Sequence, residues 1–187
     1  MYLVVGLGNP GEEYAATRHN LGFMVVEQLC RNLGVETLKP KFSSFMAALE
    51  FSGRKVILAM PQTFMNRSGE AVAAILAWHK IDAKRLILIY DDVDLEIGEV
   101  KIREKGSSAG HKGVQSVITS LCTSEFIRVR LGIGRETASD DITDYVLSKI
   151  PPAQMDKIEP AIEKAAQAVL AIIRDGVEPA TQELNRG

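Results

Sequence analysis

Two short runs, Tyr2–Val5 and Leu86–Tyr90, are apolar at every position. A strand with one wet face alternates apolar and polar side chains. An unbroken apolar run closed by turn residues reads instead as a central strand covered on both faces. Elsewhere the period changes. Asn20–Leu33 carries Leu21, Val25, Leu29 and Leu33 at helical spacing, with Gly34 placed to end it. Glu70–His79 reads as an alanine-rich helix capped by Ser68, Lys112–Leu121 as a second, and Pro152–Asp175 as a long amphipathic helix ended by Gly176. Phe45–Phe51 and Lys55–Met60 flank Ser52-Gly53, a two-residue hairpin signal. Val100–Arg103 is a further strand, and Ile127–Ile133 alternates Arg128 and Arg130 with Val129 and Leu131, as a half-exposed strand would. No repeat and no Pro/Ser-rich linker interrupts the chain. The pattern predicts one α/β domain over 1–187, a mixed β-sheet flanked by helices.

With 187 residues, 46% apolar and 25% charged, the chain is long enough to bury one sizeable core. No run approaches the ~20 apolar residues that span a bilayer, and no basic-then-apolar leader opens the sequence, so a cytoplasmic protein without membrane contact is expected. Cys30 and Cys122 lack C-x-x-C partners and read as buried free thiols. The net charge of −2 announces no nucleic-acid partner. Its distribution is less even: Lys101, Arg103, Lys105 and Lys112 face only Glu104, and Arg128, Arg130 and Arg135 follow. Such a local basic face binds phosphates, although a solvated strand edge is its plainer use.

The first strand runs into Gly6-Leu7-Gly8-Asn9-Pro10-Gly11, which spells the dinucleotide-binding pattern G-x-G-x-x-G. The context rejects that use. Glu12 and Glu13 put negative charge where a pyrophosphate would dock, Pro10 removes a backbone donor, and the next helix starts only near Asn20. What remains is a tight glycine turn that presents Asn9, with Arg18-His19-Asn20 at the following helix start. Asp91 and Asp94 close the second apolar run at the equivalent place, and ligands of open α/β sheets gather beyond strand carboxyl ends. A histidine, a carboxylate and amides are therefore expected to converge there.

The segments VGLGNPGEEYAATRHNLGF, TFMNRSGEAV, YDDVDLEIG, KGSSAGHKG and RVRLGIGR, in this order and spacing, closely resemble the bacterial peptidyl-tRNA hydrolase family, the monomeric metal-free type. The resemblance runs from Leu3 to about Leu147 and implies a single globule with a twisted mixed sheet. It implies hydrolysis of the ester joining a peptidyl group to the tRNA 3′ end, which recycles tRNA from prematurely released peptidyl-tRNA. It also implies no cofactor, no metal and no required protein partner.

By that resemblance His19 is the general base, Asp91 orients it, and Asn9 and Asn66 are the amides positioning substrate and oxyanion. His111 is a second histidine near the tRNA end; Tyr14, Asn20, Phe64, Met65 and Gly110 line the groove; Arg103 and Arg130 clamp a tRNA phosphate. The chemistry suits these residue types. A neutral imidazole accepts a proton from an attacking water, and a carboxylate fixes its tautomer. An amide N–H donating to the developing oxyanion is worth about 10²–10³ in rate, from Asn9 or from Asn66. Asn66 is also a candidate for reading the first peptide bond, and Phe64 and Met65 for an apolar wall, with core packing their rival use. The sequence departs from the family at Lys112, where Gly-His-Asn-Gly is usual; its ammonium is expected to meet a phosphate or Asp94. An RNA-binding relative without catalysis is the competing function, and the intact polar set argues against it.

Overall fold

The computed structural model describes residues 1–135 and 141–186. Strands β1 (Tyr2–Gly6), β2 (Lys39–Lys41), β3 (Ser44–Phe51), β4 (Arg54–Pro61), β5 (Leu86–Asp92), β6 (Val100–Arg103) and β7 (Ile127–Gly132) form one sheet. Their order across it is β2-β3-β4-β1-β5-β7-β6. β4, β1, β5 and β7 run parallel, and β2, β3 and β6 are antiparallel to their neighbours. The two apolar runs are thus adjacent central strands, and Leu3–Val5 and Leu86–Ile89 are fully buried.

Alternate side chains of these strands enter separate cores, as the pleat requires. Val4, Leu58, Ile87, Ile89 and Val129 pack with residues of helices α1 (Leu21–Leu33), α5 (Pro152–Asp175) and α6 (Val177–Arg186). Leu3, Val5, Ile57, Leu86 and Leu88 pack with α2 (Ser68–His79) and α3 (Lys112–Leu121) on the other face. A short helix, α4 (Ile142–Leu147), joins the first core through Tyr145 and Val146.

Two of the three glycines of the opening motif, Gly6 and Gly8, serve helix approach, while Gly11, at φ 114°, turns the chain. A Cβ on Gly6 would lie 2.1 Å from the Gly22 carbonyl oxygen, and one on Gly8 would lie 2.6 Å from the Phe23 ring. On the helix side, a Cβ on Gly22 would lie 2.4 Å from both Leu7 N and Ile89 O. α1 therefore starts directly against the ends of β1 and β5, which brings His19 to Asp91. All the close atoms around Gly22 are backbone, so Gly22→Ala is expected to destabilise by about 3 kcal/mol or more. That lowers Tm by about 10 °C. Thermal unfolding measures it, and an unchanged Tm would contradict this packing.

Several expectations are corrected. β5 does not end with the apolar run at Tyr90 but continues through Asp91 and Asp92, both buried. β7 is not half-exposed: it lies between β5 and β6, and Arg128 is only 2% exposed because three carbonyls receive its guanidinium. Ser68 does not cap α2; it is the first helical residue, and its Oγ donates to the Met65 carbonyl of the preceding 3-10 turn Met65–Arg67. Cys30 is buried but Cys122 is exposed, as the left-handed residue that ends α3 (φ 53°). Three elements had no sequence signal. β2 (KPK) is exposed throughout, α4 has six residues, and α6 is anchored mainly through Ala180 and Leu184.

Candidate active site

Four elements bring polar groups together beyond the carboxyl ends of β1 and β5. After β1 the chain stays against β5, where Leu7 N donates to Ile89 O, and then turns at Asn9. Asn20 holds that turn from the start of α1. Its Oδ1 accepts from Asn9 N and its Nδ2 donates to Asn9 O, both at 2.9 Å. Asn9 in turn receives Met65 N on its Oδ1 at 2.8 Å, fixing the loop before α2. With its oxygen used in this way, the Asn9 side chain has its Nδ2 donors left for the cavity.

His19 lies in a 3-10 turn, Arg18–Asn20, that leads into α1. It is 7% exposed, and its Nδ1 sits 3.0 Å from both oxygens of Asp91, which is 2% exposed. A carboxylate accepts, so Nδ1 carries the proton and Nε2 is left with a lone pair. His111 reaches the same carboxylate, its Nε2 3.0 Å from Asp91 Oδ1. His111 also caps α3, its Nδ1 accepting from the amides of Gly113 (3.2 Å) and Val114 (3.3 Å). Those amides hold Nδ1 as the acceptor and leave the proton on Nε2. Asp91 thus receives two imidazole N–H groups whose rings lie 4.8 Å apart.

Burial alone would push the Asp91 carboxyl up, but the His19 and His111 imidazoles, by charge and hydrogen bonding, hold it well below the usual carboxylate range. A depressed folded value contributes stability that is fully present above the unfolded-chain value of about 3.9 and is lost as pH falls through the lower folded one. The unfolding free energy of wild type relative to Asp91→Asn should therefore lose this contribution only below about pH 4. A loss complete by about pH 5 would contradict it.

His19, Asp91 and His111 are also metal-ligand types, with one ligand atom from each within 4.8 Å of the others. The His111 ring does not fit that use. A metal on Nε2 would move the ring proton to Nδ1 and set it against two helix N–H donors. The donor set suits a hydrogen-bonded base.

A cavity of about 520 Å³ opens on this group. It gathers Asn9, His19, Phe64, Met65, Asn66, Asp91, Arg103, Gly110, His111, Lys112 and Arg130, so most sequence-derived site residues share one space. Tyr14 and Asn20 are not in its lining: Tyr14 holds the 11–17 turn through its backbone, and Asn20 acts through Asn9. Met65 is 4% exposed and packs in the second core, whereas Phe64 is 59% exposed at the rim. Asn66 is exposed in its 3-10 turn.

The cations collect at the β6–β7 side, where Arg103, Lys105, Arg128, Arg130 and Arg135 line the cavity. Arg130 is oriented by Asp92, its Nε 2.7 Å from Oδ2, and Arg103 is exposed. Asp94 is engaged by Arg135 at 2.8 Å, and among the described residues it forms no pair with Lys112, so of the two partners offered for that ammonium a phosphate remains. Sequence reasoning missed the opposite wall, Ile142, Thr143, Val146 and Leu147 of α4. It also missed Arg128 as a lining residue, and an arginine in strand alternation gave no hint of its carbonyl partners.

Comparison with known proteins gives matches along nearly the whole chain. A family model described as peptidyl-tRNA hydrolase matches residues 3–187. A peptidyl-tRNA hydrolase of Thermoanaerobacter sp. (strain X514) is 47% identical over 185 residues, covering 99% of this chain and all of the relative. One from Carboxydothermus hydrogenoformans is 43% identical over 187 residues, covering both chains fully. Among solved structures, peptidyl-tRNA hydrolase from Acinetobacter baumannii superposes with a TM-score of 0.93 at 33% identity, over 99% of this chain and 94% of that one.

Proposed function

The chain belongs to the peptidyl-tRNA hydrolase family, and we propose that it cleaves the ester between a peptide and the tRNA 3′ ribose with His19 as general base. The observation that carries this reading is the His19–Asp91 pair on the cavity, which leaves His19 Nε2 as the acceptor. Nε2 takes a proton from water as the oxygen attacks the ester carbonyl. Asp91 stabilises the imidazolium that forms, and His111 keeps Asp91 oriented. Asn9 Nδ2 donates to the oxyanion, because its own Oδ1 is committed to Met65 N. Collapse of the tetrahedral intermediate returns the proton from Nε2 to the departing ribose 3′ oxygen. Asn66, exposed in its 3-10 turn, reads the first peptide bond, and Phe64 supports variable side chains.

Arg103 and Arg130 hold a tRNA phosphate at the basic end of the cavity, with Lys112 adding charge nearer His111. Replacing both arginines by alanine is expected to raise KM at least about tenfold and to flatten the salt dependence by about one unit of log–log slope for each phosphate no longer neutralised. Turnover at saturation should change little. Unaltered salt dependence would remove the clamp.

Among the described residues no helix is long and apolar enough to cross a membrane. A single-domain cytoplasmic monomer is part of this proposal, and light scattering of the purified protein tests its oligomeric state. The direct assay is release of peptide from N-acyl-aminoacyl-tRNA with a chelator present. Turnover is expected; its abolition by chelator, or RNA binding without cleavage, would overturn the reading.

A further inference from the structure

We propose that Arg18 is a positioning residue that locks the α4 wall of the cavity to the turn carrying His19, an inference that builds on the catalytic reading above. Arg18 is 3% exposed, and no carboxylate among the described residues pairs with it. Its Nη1 donates to Ser148 Oγ and to Lys149 O (3.2 Å), and its Nη2 to Gln154 Oε1 (3.1 Å). The guanidinium carbon lies 4.2 Å from the centroid of the Tyr145 ring, while Nε has no partner. Every group it touches in these contacts belongs to the segment 145–154.

The backbone is joined at the same place. Arg18 N donates to Ser148 O, Ile150 N donates to Ala16 O, and Thr17 bridges Lys149. One side of this seam continues directly into His19; the other carries Ile142, Val146 and Leu147 into the cavity. A buried cation met only by neutral acceptors is a poor device for stability alone. A planar fork is a good one for fixing several points of a neighbouring segment at once. A peptide resting on α4 is thereby held in register with the base.

The test is a double-mutant cycle on kcat/KM for N-acyl-aminoacyl-tRNA, with Tm measured alongside. Arg18→Gln is expected to lower kcat/KM about tenfold and Val146→Ala about threefold, but the double variant no more than about tenfold, because the wall is already unlocked. Arg18→Lys keeps the charge without the fork and should stay within about twofold of Arg18→Gln. Additive effects, about thirtyfold in the double variant, or full rescue by lysine would overturn the proposal. If Arg18→Gln does not fold, Gln154→Ala removes one acceptor away from the cavity and must show the same non-additivity with Val146→Ala. Hydrogen exchange separates this outcome from a failure of the hydrolysis reading. Without any substrate, Arg18→Gln should raise exchange in α4 and in the 18–20 turn together, and a rise confined to α4 would overturn the coupling.

Discussion

Replacing His19 by alanine is expected to lower kcat for peptidyl-tRNA hydrolysis by about 10²–10⁴ while leaving tRNA affinity nearly unchanged. The reason is positional. Nδ1 of His19 is committed to Asp91, which leaves Nε2 as the lone pair the proposed mechanism uses, and alanine removes that acceptor. The fold should tolerate the change, because His19 sits in a 3-10 turn whose backbone bonds and Asn20 clamp are independent of its ring. Steady-state kinetics with a competition measurement of tRNA binding separates the two effects. A kcat within about tenfold of wild type would remove His19 from the role of base.

Asp91→Asn is expected to be about as damaging, by about 10²–10⁴ in kcat, for a reason specific to the double acceptance at Asp91. An asparagine offers one acceptor and one donor where two imidazoles now donate. His111 cannot yield, since the amides of Gly113 and Val114 hold its proton on Nε2. The asparagine oxygen therefore goes to His111, and its NH₂ faces His19. That forces the His19 proton onto Nε2 and abolishes the base. A second consequence follows: Asp91→Asn with His111→Ala frees the asparagine to turn its oxygen to His19. This double variant should be at least about tenfold faster than Asp91→Asn alone. A further loss in the double variant would show that His111 acts in some other way.

The parts legible in the sequence are those fixed by local period and by chemistry gathered in short motifs. The apolar runs at 2–5 and 86–90 announce central strands, and they are adjacent and parallel. Asn9 and Asp91 are legible because they follow or end such a strand, and His19 because it stands at the start of the next helix. The illegible parts depend on contacts between distant segments. Arg128 reads as a solvent-facing residue until the 106–107 and 124 carbonyls are seen around it. α4 is too short for periodicity to register, yet it forms one wall of the cavity. The family resemblance puts His111 near the tRNA end, and its bond to Asp91 emerges only when α3 is docked. The opening glycines look like turn formers in the sequence, which Gly11 is, whereas Gly6 and Gly8, together with Gly22 of α1, let α1 approach β1 and β5.

The most direct test of the central claim is the protonation pattern of the two imidazoles, read by ¹⁵N NMR of the wild-type protein above the pH at which either ring is charged. The geometry predicts His19 with its proton on Nδ1 and a bare Nε2, and His111 with its proton on Nε2 and a bare Nδ1. A His19 ring carrying its proton on Nε2 would have no lone pair for water and would contradict the account.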